Sequence, residues 1–393
     1  MADSSHHSRV SHQSVADGSG RSAGVGISGT GSPENTGTAS GGGGGGGKGD
    51  RDRFAVDELA ITLSHYDLGT IEAVQEYPRG SRKAPKLILR TDKGLFMLKR
   101  RARGKDDPFK VAFCHSIQLH LANQQFPLPH LIGTRKDNNS MLQWKGGIYE
   151  VFEYIKGTGY DNSLEATQDS GKTLGLFHKL LKGFEPEYEP PRGSYHAARI
   201  VQSSMEQVPH TLEKIDPRTA SQSVKVHETI AFLHQAYNEA AAAANATGLP
   251  DWPMQIIHSD WHPGNMLFRG SRVVAVIDYD AARLQQRVID TANGSLQFSI
   301  LGGGDDAAAW PEYIDLTRFK RFLIGYDSVN QLSKGELAAI PPLMTEALIA
   351  EAAIPIAATG AFARMDGFDF LLMIERKVRW LQQHAGELAH ILD

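Results

Sequence analysis

Apolar positions follow two regimes along this chain. Between about residues 52 and 155 they gather in short runs: 86–89 (KLIL), 95–98 (LFML) and 148–155 (IYEVFEYI). The breaks between runs carry turn residues, Tyr77-Pro78-Arg79-Gly80, Asp92-Lys93-Gly94 and Lys145-Gly146-Gly147. Such runs predict strands joined by tight turns. Between the second and third runs, Val111, Phe113, Ile117 and Leu121 recur at near-helical spacing. That pattern predicts a helix over 111–125, stopped by Phe126-Pro127-Leu128-Pro129.

From about residue 165 the helical period dominates. Leu174, Phe177, His178 and Leu181 share one face, and Ser170 reads as the start of that helix. Residues 219–246 end in an alanine-rich run, a strong helix former, and 368–392 form another long amphipathic stretch. The helices are interrupted at 256–268 and 273–278, which read as a loop followed by short strands. The expected architecture is α+β with two lobes, a small strand-rich one followed by a larger, mainly helical one. No internal repeat is visible.

Composition changes this picture at one end only. Of the 40 glycines, fifteen lie in residues 1–50 with ten serines, and Gly41 to Gly47 are consecutive. Such a segment buries too little surface to offset its ordering entropy, so residues 1–51 are expected to be a disordered tail. The tail histidines His6, His7 and His12 are expected to be solvated. The tail has no apolar core of a secretory signal, and no continuous apolar run reaches a membrane span. A cytoplasmic protein is expected. Lys+Arg 41 against Asp+Glu 45 gives a net charge of −4. That balance argues against broad electrostatic binding to nucleic acid or membrane. The single cysteine, Cys114, excludes an internal disulfide framework.

The chemistry concentrates in 256–283, IIHSDWHPGNMLFRGSRVVAVIDYDAAR. His258, Asp260 and Asn265 form H-x-D-x-x-x-x-N, and Asp278 follows at the end of the apolar run VVAVI. Magnesium-assisted phosphoryl transfer needs hard oxygen ligands beside the phosphates and a separate carboxylate at the attacking hydroxyl. A loop and a strand end can supply both, with Pro263-Gly264 turning the chain between them.

HSDWHPGN resembles the catalytic loop of the aminoglycoside phosphotransferase and choline/homoserine kinase-like family, relatives of the protein kinases. His262, two positions after Asp260, matches this small-molecule branch; protein kinases usually carry lysine there. VIDYDAAR resembles the family's metal-binding segment, and Asp290 stands where a further structural aspartate is often found. Phe177-His178 resembles the family's L-x-x-x-H helix. The resemblance implies a protein-kinase-like fold with ATP and Mg²⁺ as cofactors. It implies Asp260 as catalytic base, Asn265 and Asp278 as metal ligands, and His258 as a hydrogen-bonding brace of the loop. Lys99, at a strand end, would contact the ATP phosphates; Arg100 would face the other way. In Phe152-Glu153-Tyr154-Ile155, the Glu153 carbonyl and Ile155 amide would pair with adenine.

Two positions depart from the family pattern. Residues 77–85 contain one glycine and no G-x-G-x-x-G, so basic side chains there are candidates to replace backbone amides. Residues 109–125 contain no acid to pair with Lys99. Either Gln118 or His115 substitutes, or Lys99 is held differently. The eleven Lys/Arg in 79–105 read as a solvated face with phosphate neutralisation, since Phe96 is the only aromatic available for base stacking. His258 and His262 lack the glutamate of a zinc protease motif, and Ser170-Gly171-Lys172-Thr173 lacks the first glycine of a P-loop.

The expectation is an ATP- and Mg²⁺-dependent phosphotransferase acting on a hydroxyl of a small molecule: amino alcohol, sugar or aminoglycoside. The alternative is a nucleotide-binding pseudokinase with a regulatory role. The nucleotide-binding lobe is expected over 52–153 and the catalytic, acceptor-binding lobe over 154–393. The acceptor is expected against 331–393, where Asp366, Asp369 and Glu375 mix with Arg364, Arg376 and Arg379 without a clear acidic excess.

Overall fold

The computed structural model describes residues 51–78, 80–215, 222–302, 304 and 306–393. The tail expected over 1–51 therefore lies outside the described residues, except Arg51.

Helix α1 (Val56–Ser64) leads into a five-stranded antiparallel sheet, in the order β1-β2-β3-β5-β4. The strands are β1 (Ile71–Glu76), β2 (Lys86–Thr91), β3 (Gly94–Arg100), β4 (Leu142–Trp144) and β5 (Gly147–Glu153). β2, β3 and β5 are the three apolar runs of the sequence. The two edge strands carry no such signal, because β1 is almost entirely exposed and β4 has three residues. Leu87, Leu89, Leu98, Tyr149 and Val151 pack on one face with Tyr66 and Leu68.

Side chains alternate across a strand, so the neighbours of those residues face the other side. The register aligns Lys86 with Lys99 and Lys99 with Glu150 in one row. The next row on that face is Ile88, Met97 and Phe152, all half-buried. One face of the sheet thus presents a charged row beside an apolar row.

Helix α2 (Pro108–Asn123) begins at Asp107, whose carboxylate accepts the Phe109 and Lys110 amides. Its Phe113, Ile117 and Leu121 belong to the core of the helical lobe rather than to the sheet.

The helical lobe contains α3 (Leu164–Leu180), α4 (Arg199–Ile215), α5 (Ser223–Ala246), α6 (Arg287–Ser299), α7 (Leu316–Asp327), α8 (Lys334–Thr359) and α9 (Gly367–Ala389). Between α5 and α6 run four short strands: β6 (Met254–Ile257), β7 (Met266–Arg269), β8 (Arg272–Val276) and β9 (Arg283–Gln286). They pair as β6–β9 and β7–β8. A two-residue hairpin, β10 (Ala361–Phe362) with β11 (Met365–Asp366), joins α8 to α9.

Helix α3 starts six residues earlier than the apolar pattern predicts. Ser163 caps it by accepting the Ala166 amide, so Ser170 lies inside the helix, bonded to the Ala166 carbonyl. Residues 164–169, with only Leu164 and Ala166 apolar, hid this start. Helices α3 and α7 cross unusually close, because a Cβ on Gly171 would fall 2.0 Å from the Phe322 carbonyl oxygen, and one on Gly325 1.9 Å from that of Gln168.

Helix α8 alone among the described residues is long and apolar enough to cross a membrane. It is mostly buried in the core, and its Glu336 and Glu346 are held by Arg287 and His196. A buried helix with paired acids is the central helix of a core.

Candidate active site

The catalytic-loop candidate runs from β6 to β7. Its backbone is held from below by Asp290 on α6, whose carboxylate accepts the His258 amide at 2.8 Å and the Ser259 amide at 3.0 Å. Asp290 also pairs with His178 Nε2 at 3.1 Å, and Tyr326 on α7 bonds His178 Nδ1 at 2.8 Å. The close α3–α7 crossing brings these two rings together. All three residues are buried.

The His258 ring does not brace the loop through hydrogen bonds as expected. Neither ring nitrogen has a partner among the described residues. The ring packs instead between Phe177, Trp261 and Tyr279, at centroid distances of 5.8, 5.4 and 5.2 Å. Burial depresses its pKa and keeps it neutral, so its bracing is by packing.

Asp260 is buried to 8% accessibility. Asn265 Nδ2 donates to its Oδ2 at 2.8 Å and to its backbone carbonyl at 3.0 Å. His262 Nε2 stands 3.7 Å from Oδ1. Because His262 Nδ1 accepts the Gly264 amide at 3.0 Å, the proton of the neutral ring sits on Nε2, toward Asp260. A Cβ on Gly264 would lie 2.7 Å from the same ring, so only glycine fits that turn. Burial alone would raise the Asp260 pKa; His262 and the Asn265 hydrogen bond reverse this and hold it below the usual carboxylate range. The result is an ionised carboxylate in a partly dry pocket.

Asp278 ends the β8 segment with a left-handed backbone, φ 65° and ψ 73°. Ser259, beside Asp260, has φ 62°. Left-handed non-glycine residues cost on the order of 1 kcal/mol or more and gather at functional sites. The Asp278 carboxylate is exposed and makes no hydrogen bond among the described residues. Backbone bonding ties the two candidates together, since the Ile277 amide donates to the Asn265 carbonyl at 2.9 Å. Asn265 Oδ1 accepts no bond there, so the Asn265 amide oxygen and the Asp278 carboxylate are two hard oxygens of the type Mg²⁺ takes beside phosphate and water. The chemistry of this donor set fits magnesium.

Lys99 meets an acid from the neighbouring strand. Its Nζ is 3.6 Å from Glu150 Oε2 on β5. The same buried carboxylate takes Arg101 at 2.8 Å and His115 Nε2 at 2.7 Å. Arg101 also reaches Asp280 at 2.9 Å, linking the sheet to the Asp278 segment. Burial alone would raise the Glu150 pKa; Lys99, the His115 hydrogen bond and Arg101 push it well below the carboxylate range. Of the two helix candidates, His115 reaches this acid, while Gln118 bonds only the Cys114 carbonyl. Arg100 points to the opposite face, toward Glu58 at 2.7 Å and the Phe54 ring.

Lys86 stands opposite Lys99 on the same face. Burial and the Lys99 charge lower its pKa, while Asp278 and Asp280 oppose that shift. Two facing lysines repel unless an anion lies between them. Glu153 closes β5, its amide donating to the His130 carbonyl at 2.8 Å, and the Tyr154 amide donates to Leu95 at 2.9 Å. The Ile155 amide makes no bond among the described residues. Both candidates stand just past the Ile88–Met97–Phe152 row.

The acids and bases expected at the acceptor side do not gather there. Asp366 caps α9, Glu375 binds Thr229 and Arg379, and Arg376 binds carbonyls of 307, 308 and 310. Sequence reasoning passed over Glu150, Arg101, Lys86 and Asp280. Glu150 had a visible signal: a charge in the middle of the apolar run IYEVFEYI.

Comparison with known proteins follows this geometry. The family model described as "Phosphotransferase enzyme family" (APH) matches residues 76–317. A homoserine kinase of Bradyrhizobium diazoefficiens is 23% identical over 343 residues, spanning 86% of this chain and 89% of that protein. A homoserine kinase of Rhizobium meliloti is 23% identical over 73% of this chain and 79% of its own length. Among solved structures, an aminoglycoside phosphotransferase from Alicyclobacillus acidocaldarius superposes with a TM-score of 0.60 at 16% identity, covering 86% of this chain and 99% of that one. An amicoumacin kinase in complex with AMP-PNP, Ca²⁺ and Ami gives 0.57 at 13% identity, covering 86% and 94%. These similarities carry the fold, a two-lobed protein-kinase-like α+β architecture.

Proposed function

The chain belongs to the phosphotransferase enzyme family, and we propose that it transfers the γ-phosphoryl group of ATP to a hydroxyl of a small molecule. The observation that supports the reading is a chain of contacts: Lys99 and Arg101 share Glu150, Arg101 reaches Asp280 beside Asp278, the Ile277 amide bonds the Asn265 carbonyl, and Asn265 bonds Asp260. Lobe 52–153 binds nucleotide in this reading, and lobe 154–393 supplies catalysis and the acceptor site.

Adenine lies against Ile88, Met97 and Phe152, with the Glu153 carbonyl and Ile155 amide at its polar edge. Lys99 and Lys86 receive the phosphates, with lysine charge doing what glycine-exposed amides do elsewhere. Asn265 and Asp278 hold Mg²⁺, which would neutralise charge on the phosphate oxygens. Asp260 orients the acceptor hydroxyl and takes its proton as the new phosphate ester bond forms and the bond between the β- and γ-phosphates breaks, releasing ADP. Its depressed pKa keeps it ionised, and His262 N–H is placed to stabilise that charge. The absence of an acid on α2 favoured the pseudokinase alternative. Glu150 answers it, because Lys99 has a buried carboxylate partner from β5.

Two variants test the division of labour. Asp278→Asn should weaken Mg-ATP binding and abolish turnover together. Asp260→Asn should leave Mg-ATP affinity nearly intact and cut the chemical step by about 10²–10⁴. Calorimetry with nucleotide and ADP-release assays against hydroxyl metabolites read the two effects. Loss of Mg-ATP binding in a folded Asp260→Asn protein would overturn the assignment.

A further inference from the structure

The segment that carries Asp278 is held from three directions. From the catalytic loop, the Asn265 carbonyl accepts the Ile277 amide at 2.9 Å. From α2, the buried Cys114 thiol donates to the Tyr279 carbonyl at 3.4 Å. From the sheet, the Arg101 guanidinium donates to Asp280 Oδ1 at 2.9 Å. Asp278 lies between the first hold and the other two. Its backbone is left-handed, φ 65° and ψ 73°, and it opens a single turn, Tyr279–Ala281, with Asp280 at the centre. A non-glycine residue stays in that region only where its surroundings hold it. The pull of Arg101 on Asp280 fixes the rotation of this turn, and with it the direction in which the Asp278 carboxylate leaves the backbone.

Arg101 is itself well anchored. It directly follows β3, and its amide donates to the Ile148 carbonyl at 2.9 Å, which continues the β3–β5 pairing. Its side chain is 6% accessible. A second guanidinium nitrogen donates to Glu150 Oε1 at 2.8 Å, and the same carboxylate stands 3.6 Å from Lys99 Nζ. A planar fork laid across two carboxylates is fixed in direction, which a single ammonium is not. One end of this chain of contacts is the lysine placed at the phosphates. The other end is the carboxylate placed at the metal. The link between them crosses from the sheet to the helical lobe.

We propose that Arg101 is a positioning residue for the metal site: through Asp280 it sets the Asp278 carboxylate, and through Glu150 it ties that setting to Lys99, so that metal and nucleotide bind cooperatively. The proposal rests on the phosphotransferase reading above. Cooperativity of this kind is a coupling free energy, and it is read as the ratio of two affinities.

The measurement is the calorimetric dissociation constant of AMP-PNP in excess Mg²⁺ and again in EDTA. The ratio of the two is the metal enhancement. Arg101→Met removes both contacts, and Asp280→Asn removes only the charge beside Asp278. Each should cut the enhancement by about tenfold, the scale of one lost charge-assisted hydrogen bond. In Asp280→Asn the affinity in EDTA should stay unchanged, because the Lys99–Glu150 pair is untouched. The double variant should lose no more than the larger single loss, since the two residues act as one contact. Arg101→Lys should retain part of the enhancement.

A merely structural role would weaken AMP-PNP equally with and without Mg²⁺; an unchanged ratio in both single variants would overturn the proposal. A ratio that falls in Asp280→Asn but rises in Arg101→Met or Arg101→Lys would overturn it too, because Asp280 would then be a metal oxygen that Arg101 restrains. If Arg101→Met does not fold by circular dichroism, Arg101→Lys and Asp280→Asn decide on the same ratio. Wild type that binds AMP-PNP equally in Mg²⁺ and EDTA would refute the metal site and the phosphotransferase reading with it. A wild-type enhancement that the variants leave intact would refute the role of Arg101 alone.

Discussion

Replacing Glu150 with glutamine removes one charge from the centre of a three-way contact and leaves its shape. The variant amide can still meet Arg101 and His115, but Lys99 then loses its carboxylate partner and Arg101 keeps only Asp280. Removing one member of a buried ion pair costs roughly 3–5 kcal/mol. Glu150 is fully buried, but Lys99 retains 22% side-chain accessibility in the cleft, so the lower end, about 3 kcal/mol, applies. Urea denaturation reads this loss, and Mg-ATP affinity should fall at least tenfold because Lys99 is no longer held in place. The pH dependence gives an independent sign. The folded Glu150 pKa lies below its ordinary value of 4.5, so its stabilisation is complete above that pH and is lost as pH falls below it. The stability gap between wild type and Glu150→Gln should therefore be constant near neutrality and close on acidification. A loss under about 1 kcal/mol with unchanged ATP affinity would refute the claim that Glu150 organises Lys99.

Lys99→Ala should weaken ATP binding or turnover severely, and Arg100→Ala much less, since Arg100 lies on the opposite face against Glu58; equal losses measured by nucleotide titration would contradict the strand assignment. Glu351→Gln should stabilise the unliganded protein at alkaline pH. The folded carboxyl titrates near 8 against an ordinary 4.5, so wild type loses stability as pH rises between those values, by about 1.36 kcal/mol per unit at most. Melting curves at pH 5 and pH 8.5 should show the gap opening; a gap that stays closed would mean that the carboxylate is solvated.

Much of this molecule could be read without coordinates. β2, β3 and β5 are buried on one face, so their apolar residues cluster visibly, and the loop 256–283 carries its chemistry in contiguous letters. β1 escaped notice because an exposed edge strand needs no apolar pattern. The start of α3 escaped because residues 164–169 carry only Leu164 and Ala166 as apolar positions and its cap, Ser163, lies ahead of the apolar face. The partner of Lys99 was sought on the following helix, where sequence neighbourhood pointed. It comes from a strand about fifty positions downstream, brought alongside by the antiparallel register of β3 and β5. Glu351 was hidden for the converse reason: in a long apolar helix one carboxylate looks like solvent exposure, and only its hydrogen bonds from Gln297 show where it points. Asp366 and Glu375 were more conspicuous; Asp366 caps α9, and Glu375 is a buried partner of Thr229 and Arg379.

The placement of the lysine's counter-charge has a consequence for control. In a two-lobed catalyst whose lysine is paired by a mobile helix, swinging that helix outward disconnects the pair and works as an off switch. Here Lys99 and Glu150 are cross-strand neighbours in one hydrogen-bonded ladder, so their spacing is set by the pleat itself. Helix α2 is fastened to the same carboxylate through His115 and to the helical lobe through Phe113, Ile117 and Leu121. The Lys99–Glu150 spacing is therefore set by strand pairing and not by the placement of α2.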